Sequence, residues 1–412
     1  MKVSSSAPGK VILFGEHAVV YNVTAVAAAL SNLRIYVDVS VDAAVGGAAL
    51  EVMLHDIKGE NGQAPYCKRI ALADVRGMFT QAPSPADAYE AVNPDEAAIA
   101  RLRAGVDETG NANAAQCLMA ICYLLGCILP EYLWADEAKL NVSPSCTMKL
   151  EIRSIGLPIG AGLGSSAAFS VALSGALLRA RFLAVREEPP YRQDAIADAA
   201  EGVVPPAELL PILNKWAYAA EVVIHGAPSG LDNTTSCFGG AVKFKRDAGT
   251  FDVIPQLPSL DILLTNTRVP RSTKLLVAGV RVLHDKMPAV VQPILASIEA
   301  ISQRFLQIVE CDGEGEQGSD SAQGDVGELM DVNHELLNAL GVGHPSLTAV
   351  RDLSRAHGCS SKLTGAGGGG CAITLLPRGR EDTAERLAQA LQQAGFETFQ
   401  SSIGGRGVKW HS

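Results

Sequence analysis

The chain has 412 residues, a net charge of −10 at neutral pH and a composition that is 48% hydrophobic, enough to bury a large core. The acidic balance argues against nucleic acid or an anionic membrane as the main partner, and no run of 18 apolar residues predicts a membrane span. The nine cysteines, an odd number scattered along the chain, are typical of free thiols, so we expect a cytoplasmic protein.

The N-terminal part of the chain predicts an antiparallel start. Lys10–Val20 follows the turn signal Ala-Pro-Gly, and Asn32–Val41 alternates as a half-buried strand does. Residues 56–92 contain several Pro and Gly and are interpreted as an insertion. A long apolar segment predicts a helix over Gln116–Leu129.

The middle of the chain predicts a strand over Lys149–Ser154 and a helix from Ser165 to Phe182. A further helix ends at His225-Gly226, because Gly is the usual residue after a helix C-terminus. The segment APSGLDNTTSCFGG that follows is interpreted as a loop leading into a strand.

Leu260–Val269 opens a second domain, so we expect one domain over residues 1–255 and another over 256–412. Glu310–Glu328 is acidic, rich in Gly and Ser and nearly free of apolar residues, which predicts a flexible surface loop. Helices and a last strand are predicted at residues 273–283, 287–309, 380–394 and 398–403. Because strands and helices alternate without a regular period, the fold class is α+β.

A glycine-rich stretch, LPIGAGLGSS (Leu157–Ser166), precedes the helix that begins at Ser165. It fits the dinucleotide pattern G-x-G-x-x-G/A, but so does Gly365–Gly370, and the distance from the preceding strand is too long for a Rossmann turn. Walker, protein-kinase and serine-hydrolase patterns are absent. Glycines and free helix N–H groups form an anion site, although a plain turn with a serine cap is the alternative.

Two acidic residues are singled out by their surroundings. Glu221 lies among apolar residues near the negative end of a helix, which indicates a magnesium ligand or else an exposed helix-edge glutamate. Asp232 lies in PSGLDNTT, where an Asp-Asn pair is usually turn chemistry.

Several other residues have ordinary interpretations on their own. Lys10 could be a solvated lysine, Glu16-His17 an ordinary strand pair, and His225 a helix-end residue without chemistry. Thr267–Lys274 is locally basic and could face an anionic substrate or solvent. Four consecutive glycines after Lys362 are costly unless a ligand or another loop approaches closely.

Three separated motifs, APGKVILFGEHAVV, LPIGAGLGSSAAFS and KLTGAGGGGCAITLL, together resemble the superfamily of galactokinase, homoserine kinase, mevalonate kinase and phosphomevalonate kinase. LNKWAYAAEVVIHGAPSGLDN, LLTNTRVPRSTKLLVAGVR and LNALGVGHPSL resemble the eukaryotic mevalonate kinase family more closely. The resemblance covers about residues 7–45 and 115–405. It implies a two-domain α+β fold, with an N-terminal ATP-binding domain like domain 2 of ribosomal protein S5 and a ferredoxin-like C-terminal domain.

The resemblance also implies the reaction, which is ATP-dependent phosphorylation of the C5 hydroxyl of mevalonate with Mg²⁺, in isoprenoid and sterol precursor biosynthesis. The family's catalytic pair falls on Asp232 and Lys10, and its magnesium ligands fall on Ser166 and Glu221. Its nucleotide-binding positions fall on Lys10, Ser154, Gly160, Ala161, Gly162, Leu163, Gly164, Ser165 and Ser166. Its substrate positions fall on Glu16, His17, Ser229, Asp232 and Thr273.

An asparagine that the family uses near the adenine corresponds here to His55 or Asp56, and the choice stays open. The family further suggests a homodimer and feedback inhibition by prenyl diphosphates at the ATP site. The alternatives are another kinase of the superfamily, acting on phosphomevalonate or galactose, and a non-catalytic sensor of ATP and a metabolite. An NAD oxidoreductase rests on the two glycine matches alone.

Overall fold

The computed structural model describes residues 1–43, 47–59, 65–83, 88–106, 110–134, 146–184, 202–254, 257, 260–312 and 320–411. The strands in these ranges are β1 (Lys2–Phe14), β2 (Ala25–Ala43), β3 (Ala49–Leu54), β4 (Tyr66–Ala71), β5 (Cys146–Ile155), β6 (Ala241–Lys245), β7 (Thr250–Ile254), β8 (Leu260–Asn266), β9 (Ser361–Leu363), β10 (Cys371–Leu375), β11 (Glu397–Ile403) and β12 (Lys409–His411). The helices are α1 (Leu72–Gly77), α2 (Glu96–Gly105), α3 (Ala112–Ile128), α4 (Pro130–Trp134), α5 (Ser165–Ala184), α6 (Leu210–His225), α7 (Leu231–Phe238), α8 (Thr273–Lys286), α9 (Pro288–Asp312), α10 (Asp320–Ala339), α11 (Pro345–Ala356) and α12 (Glu381–Gln393), with a 3₁₀ helix at Ala18–Tyr21.

The antiparallel start is confirmed, since β1 pairs with β2 along nearly its whole length. β1 stops at Phe14 because Gly15 and His17 take positive φ angles of 91° and 60° and turn the chain into the 3₁₀ helix. The interpretation of Glu16-His17 as a strand pair is therefore wrong. The other edge of β2 pairs with β5, which carries β3 and then β4.

The C-terminal part forms four antiparallel strands in the order β11-β8-β10-β9. Counted along the chain, this order is fourth, first, third and second, which is the ferredoxin-like arrangement. β11 joins β2 where Ile403 pairs with Leu30, so one sheet runs through both parts. The α+β class is confirmed, whereas the boundary at residue 255 stays a prediction. The last strand, β12, returns to pair with β1.

Helix α5 lies at the centre of the N-terminal part, against β1, β2 and α6. By length and composition it could cross a membrane, but 83% of its most apolar window is buried inside the fold. Since α5 begins at Ser165, this packing fixes the end of the glycine-rich stretch relative to the sheet.

One loop prediction is wrong, and another is wrong at both ends of its segment. The segment after Gly230 forms α7, although Asp, Asn and Thr are poor helix formers, because Leu231 and Cys237 are buried and tertiary packing overrides propensity. In the acidic segment Glu310–Glu328, α9 extends to Asp312 and α10 begins at Asp320, with Val326 buried. Residues 313–319 lie outside the described ranges.

The insertion at residues 56–92 contains regular structure in its described parts. β4 extends the edge of the sheet beside β3, and α1 packs on α4. Ile70, Leu72 and Val75 are buried in the main apolar core. This part therefore completes the sheet edge and covers its core.

Candidate active site

A cavity of about 600 Å³ opens between the two parts of the molecule. Its wall is formed by the end of β1 and the turn after it, the glycine-rich stretch, the starts of α5, α7 and α8, and the second glycine run. The sequence-predicted residues that line it are Lys10, Glu16, His17, Gly160, Gly162, Gly164, Ser165, Ser166, Asp232 and Thr273. Residues far apart in the sequence thus meet in one place.

The glycine-rich stretch packs directly on β1. The Lys10 backbone N–H donates to the Leu163 carbonyl over 2.8 Å. Gly160, Gly162 and Gly164 have φ angles of 78°, 82° and 72°, which L side chains rarely adopt. A Cβ on Gly164 would lie 2.9 Å from Lys10 Cγ. The glycines therefore let the stretch turn tightly beside Lys10 and lead into the N-terminus of α5, where N–H groups are free to bind an anion.

Lys10 and Asp232 form an ion pair, with 3.1 Å between Nζ and Oδ1. The Lys10 side chain is only 6% exposed, whereas that of Asp232 is 40% exposed. Lys10 is therefore not a solvated lysine. Asp232 lies in the first turn of α7, where the helix dipole favours a negative charge.

Glu221 is buried below the start of α5, so the alternative of an exposed helix-edge glutamate is wrong. Ser170 Oγ donates to its Oε1 over 2.9 Å, and Ser166 Oγ donates to its Oε2 over 3.3 Å. Burial, and to a smaller extent the charge of Asp232, raises the pKa of Glu221 to about 7, although the hydrogen bonds from the two serines and the charge of Lys10 oppose the rise.

The Glu221 and Ser166 pair suits a hard cation, because Mg²⁺ prefers oxygen ligands and needs one or two carboxylates beside substrate phosphates. A buried carboxylate held by hydroxyl groups gains from a cation nearby. In the described ranges, no three His, Cys, Asp or Glu side chains gather as a metal cage. The donor set therefore fits an ion shared with a bound phosphate.

His225 belongs to this site, although the sequence analysis assigned it no chemistry. Its Nε2 lies 3.0 Å from Ser166 Oγ and 3.8 Å from Glu221 Oε2. Burial lowers its pKa below 6.5, so the ring is neutral at neutral pH. The signal in the sequence was the four-residue spacing from Glu221, which places both side chains on one helix face.

The opposite end of the cavity is built around the turn after β1. His17 Nε2 lies 2.7 Å from the Ala366 carbonyl, which can only accept, so Nε2 carries the proton and Nδ1 is an acceptor. Nδ1 is buried and has no hydrogen-bond partner among the described residues. Burial lowers the pKa of His17, so the ring stays neutral. Glu16, beside it, forms a buried ion pair with Lys362.

Arg271, from the locally basic segment, connects the two glycine runs. Its Nη2 donates to the Ala161 carbonyl over 3.0 Å. A Cβ on Gly370 would lie 1.1 Å from Arg271 Nη1, and one on Gly162 would lie 1.9 Å from Nη2. The second glycine run thus makes room for another loop, which is one of the two explanations that its composition allowed.

Comparison with known proteins identifies the family. The model of the GHMP kinases N terminal domain matches residues 123–240, and that of the GHMP kinases C terminal matches residues 320–397. The mevalonate kinase of Mus musculus is 42% identical over 99% of this chain and 94% of its own length, and that of Homo sapiens is 38% identical over the same shares. The chain belongs to the mevalonate kinase family. The mevalonate kinase of Methanococcus jannaschii has the same fold, with a TM-score of 0.65, 23% identity and 98% coverage of each chain.

The cavity lining does not include Ser154, Ser229, Ala161 and Leu163, four of the positions carried over from the mevalonate kinase family. Ser154 Oγ donates to the Leu157 carbonyl over 2.5 Å, and Ser229 Oγ accepts from the Leu231 N–H over 3.3 Å. Both hydroxyls therefore shape loops next to the cavity. Ala161 and Leu163 act through their carbonyls, which hold Arg271 and Lys10.

The position that corresponds to the family's asparagine near the adenine was left open between His55 and Asp56. Of these two, Asp56 lies at the cavity. Asp56 lines the cavity and accepts from the Ser154 N–H over 2.6 Å, whereas His55 pairs with Glu151 over 3.4 Å. Asn113 and Gln116 of α3 line the same end. Neither polar residue stands out in the sequence, because most of the other residues of α3 are apolar.

Proposed function

We propose that this chain transfers the γ-phosphoryl group of ATP to the C5 hydroxyl of mevalonate, giving 5-phosphomevalonate for isoprenoid and sterol precursor biosynthesis. The observation that carries the mechanism is the Lys10–Asp232 pair on the wall of a cavity that the glycine-rich stretch also lines. Membership of the mevalonate kinase family supports the substrate. L. major mevalonate kinase, solved in complex with R-mevalonate, shares the fold with a TM-score of 0.62.

ATP phosphates bind at the glycine-rich stretch and the N-terminus of α5. The free N–H groups there face the anion, and positive-φ glycines allow close backbone approach. Mg²⁺ held by Ser166 and Glu221 would neutralise charge on the phosphates. Phosphoryl transfer depends mainly on such positioning and charge neutralisation. Arg271 holds the stretch in place from the C-terminal part.

The Lys10–Asp232 pair activates the acceptor alcohol. Asp232 takes the proton of the C5 hydroxyl as that oxygen forms its bond to the γ-phosphorus and the bond to the bridging oxygen of ADP breaks. Lys10 stabilises negative charge on the attacking oxygen. His17 Nδ1 accepts a hydrogen bond from mevalonate, because its proton-bearing Nε2 is already bound to Ala366.

An ADP-release assay with purified protein tests this function. Mevalonate, phosphomevalonate and galactose are supplied separately, and the product mass is measured. We expect turnover with mevalonate and a product heavier by one phosphoryl group. Turnover with another of the three would indicate a different kinase of the superfamily. ATP binding without turnover of any would favour the sensor alternative.

We further propose a cytoplasmic homodimer that prenyl diphosphates inhibit in competition with ATP. No disulfide joins the cysteines whose side chains the structure describes, which supports a reducing compartment. The cavity lining beside the glycine-rich stretch is apolar and includes Ile35, Leu54 and Phe169. This lining suits a prenyl chain whose diphosphate occupies the anion site. Light scattering tests the dimer, and inhibition kinetics at varied ATP concentration test the competition.

A further inference from the structure

A buried ion pair lies behind the substrate end of the cavity. Lys362, in β9, donates from Nζ to Glu16 Oε1 over 2.5 Å and to the Leu363 carbonyl over 2.8 Å. The side chains of Lys362 and Glu16 are both 0% exposed. The Lys362 ammonium also lies 5.7 Å from the centroid of the Phe14 ring. The pair joins the turn after β1 to the strand before the second glycine run.

Such a pair is not a simple source of stability. Removing two charges from water carries a large desolvation cost for each ion, and apolar residues of similar size often stabilise a core at least as well. Burial raises the pKa of Glu16 and lowers that of Lys362, and the attraction between the two charges opposes both shifts. A role in placing particular atoms explains the pair better than stability does.

The atoms that it places belong to the cavity wall. Glu16 precedes His17, which has a φ of 60° and holds Ala366 four residues after Lys362. The Lys362–Glu16 ion pair and the His17–Ala366 hydrogen bond therefore lie next to each other. Both join the turn after β1 to the segment that runs from β9 into the second glycine run. Glu16 Oε2 and His17 Nδ1 are buried acceptors without a partner among the described residues. Both Glu16 and His17 line the cavity.

We propose that Lys362 is a positioning residue for the mevalonate end of the cavity: its ammonium fixes Glu16 and so holds His17 in the backbone conformation that leaves Nδ1 without a partner among the described residues, as an acceptor for a substrate hydroxyl. This inference rests on the proposed function. Lys362 acts through Glu16 and touches neither substrate.

Three variants test it: Lys362→Met, Lys362→Arg and the double variant Glu16→Gln with Lys362→Met. We expect Lys362→Met to raise the KM for mevalonate about tenfold, the effect of losing one charged hydrogen bond, and to leave the KM for ATP within about twofold. Lys362→Arg restores part of the mevalonate KM, because a guanidinium can donate to the same carboxylate. The double variant melts closer to the wild-type temperature than Lys362→Met, since it buries no unpaired charge, yet its mevalonate KM stays raised.

The control is a second buried ion pair away from the cavity, between Arg181 and Glu131, whose side chains are 1% and 2% exposed. Arg181→Met, which leaves Glu131 buried without this partner, should lower the melting temperature as Lys362→Met does, without changing the mevalonate KM. A mevalonate KM in the double variant within twofold of wild type would overturn the inference. An equal rise in the KM values for mevalonate and for ATP, in proportion to the fall in melting temperature, would also overturn it. Failure of the wild-type protein to phosphorylate mevalonate would instead contradict the proposed function.

Discussion

The Lys10 ammonium lies 3.1 Å from Asp232 Oδ1, and the two side chains differ in exposure, at 6% and 40%. Lys10 belongs to β1, and its side chain packs against the glycine-rich stretch beside Gly164, so its position is fixed before any ligand binds. Asp232 lines the cavity from the first turn of α7. The pair therefore combines a fixed buried cation with a carboxylate that a substrate can reach, which is the arrangement that alcohol activation needs.

Asp232→Asn should lower kcat about 10²–10⁴-fold, because the amide cannot accept the hydroxyl proton. The amide matches the carboxylate in shape, so the cavity and the ATP site should be retained. Steady-state kinetics give kcat, and calorimetric titration gives ATP affinity. Near-normal turnover in a pure preparation would contradict the assignment. Assays with a known trace of added wild-type enzyme show how much turnover such contamination supplies.

Glu221→Gln should stabilise the ligand-free protein at alkaline pH. The folded-state pKa of about 7 lies above the ordinary value of 4.5, so native Glu221 binds a proton more tightly than unfolded Glu221 does. Its contribution to stability is full below pH 4.5 and is lost as pH rises through 7, at a cost of about 3 kcal/mol above that pH. The neutral amide avoids this cost and keeps contacts to Ser166 and Ser170.

Urea denaturation at pH 8 and pH 5 measures the effect of Glu221→Gln. The variant should be the more stable at pH 8 by up to about 3 kcal/mol, and the difference should shrink to about 1 kcal/mol or less at pH 5. Asp232, Lys10 and His225 face the same carboxylate and are unchanged in the comparison. The same variant should need more magnesium for half-maximal activity. A stability difference that does not change with pH, or an unaltered magnesium titration, would count against these roles.

The sequence predicted the parts of this site that local chemistry determines. Alternating glycines before a helix indicated an anion site, and the resemblance placed Lys10 and Asp232 together. The sequence did not predict α7, because this segment becomes helical only when Leu231 and Cys237 are buried in the fold. The Lys362–Glu16 pair could not be predicted either, since 346 residues separate the two and only the folded sheet brings them together. The positive charge of Arg271 is evident in the sequence, but the sequence does not show that its side chain donates to the Ala161 carbonyl.

Gly162→Ala should impair catalysis more than Gly160→Ala. Both glycines have nearly equal φ angles, 82° and 78°, so the backbone strain of about 1–2 kcal/mol is matched. A Cβ on Gly162 would lie 1.9 Å from Arg271 Nη2, whereas one on Gly160 meets nothing within 4 Å. Displacing Arg271 breaks its bond to Ala161 and frees the stretch. We expect kcat/KM for ATP to fall about tenfold further in Gly162→Ala, as loss of a charged hydrogen bond does. Equal kinetics for the two variants would show that Arg271 does not brace the stretch.

His17→Gln should separate the structural bond of His17 from its contact with substrate. The Gln amide N–H₂ can replace Nε2 as donor to Ala366, but no acceptor remains at the Nδ1 position. The melting temperature should therefore stay near that of wild type, while the mevalonate KM rises about tenfold and the ATP KM does not change. His17→Asn is the matched variant. Its shorter side chain keeps an acceptor near the position of Nδ1 but cannot reach the Ala366 carbonyl. Residue 17 has φ 60° and ψ −40°, outside the left-handed region that favours Asn, so the backbone strain is similar for the two amides. A lower melting temperature in His17→Asn than in His17→Gln therefore reports the lost Ala366 bond. If His17→Gln binds mevalonate normally, the substrate hydroxyl does not donate to Nδ1.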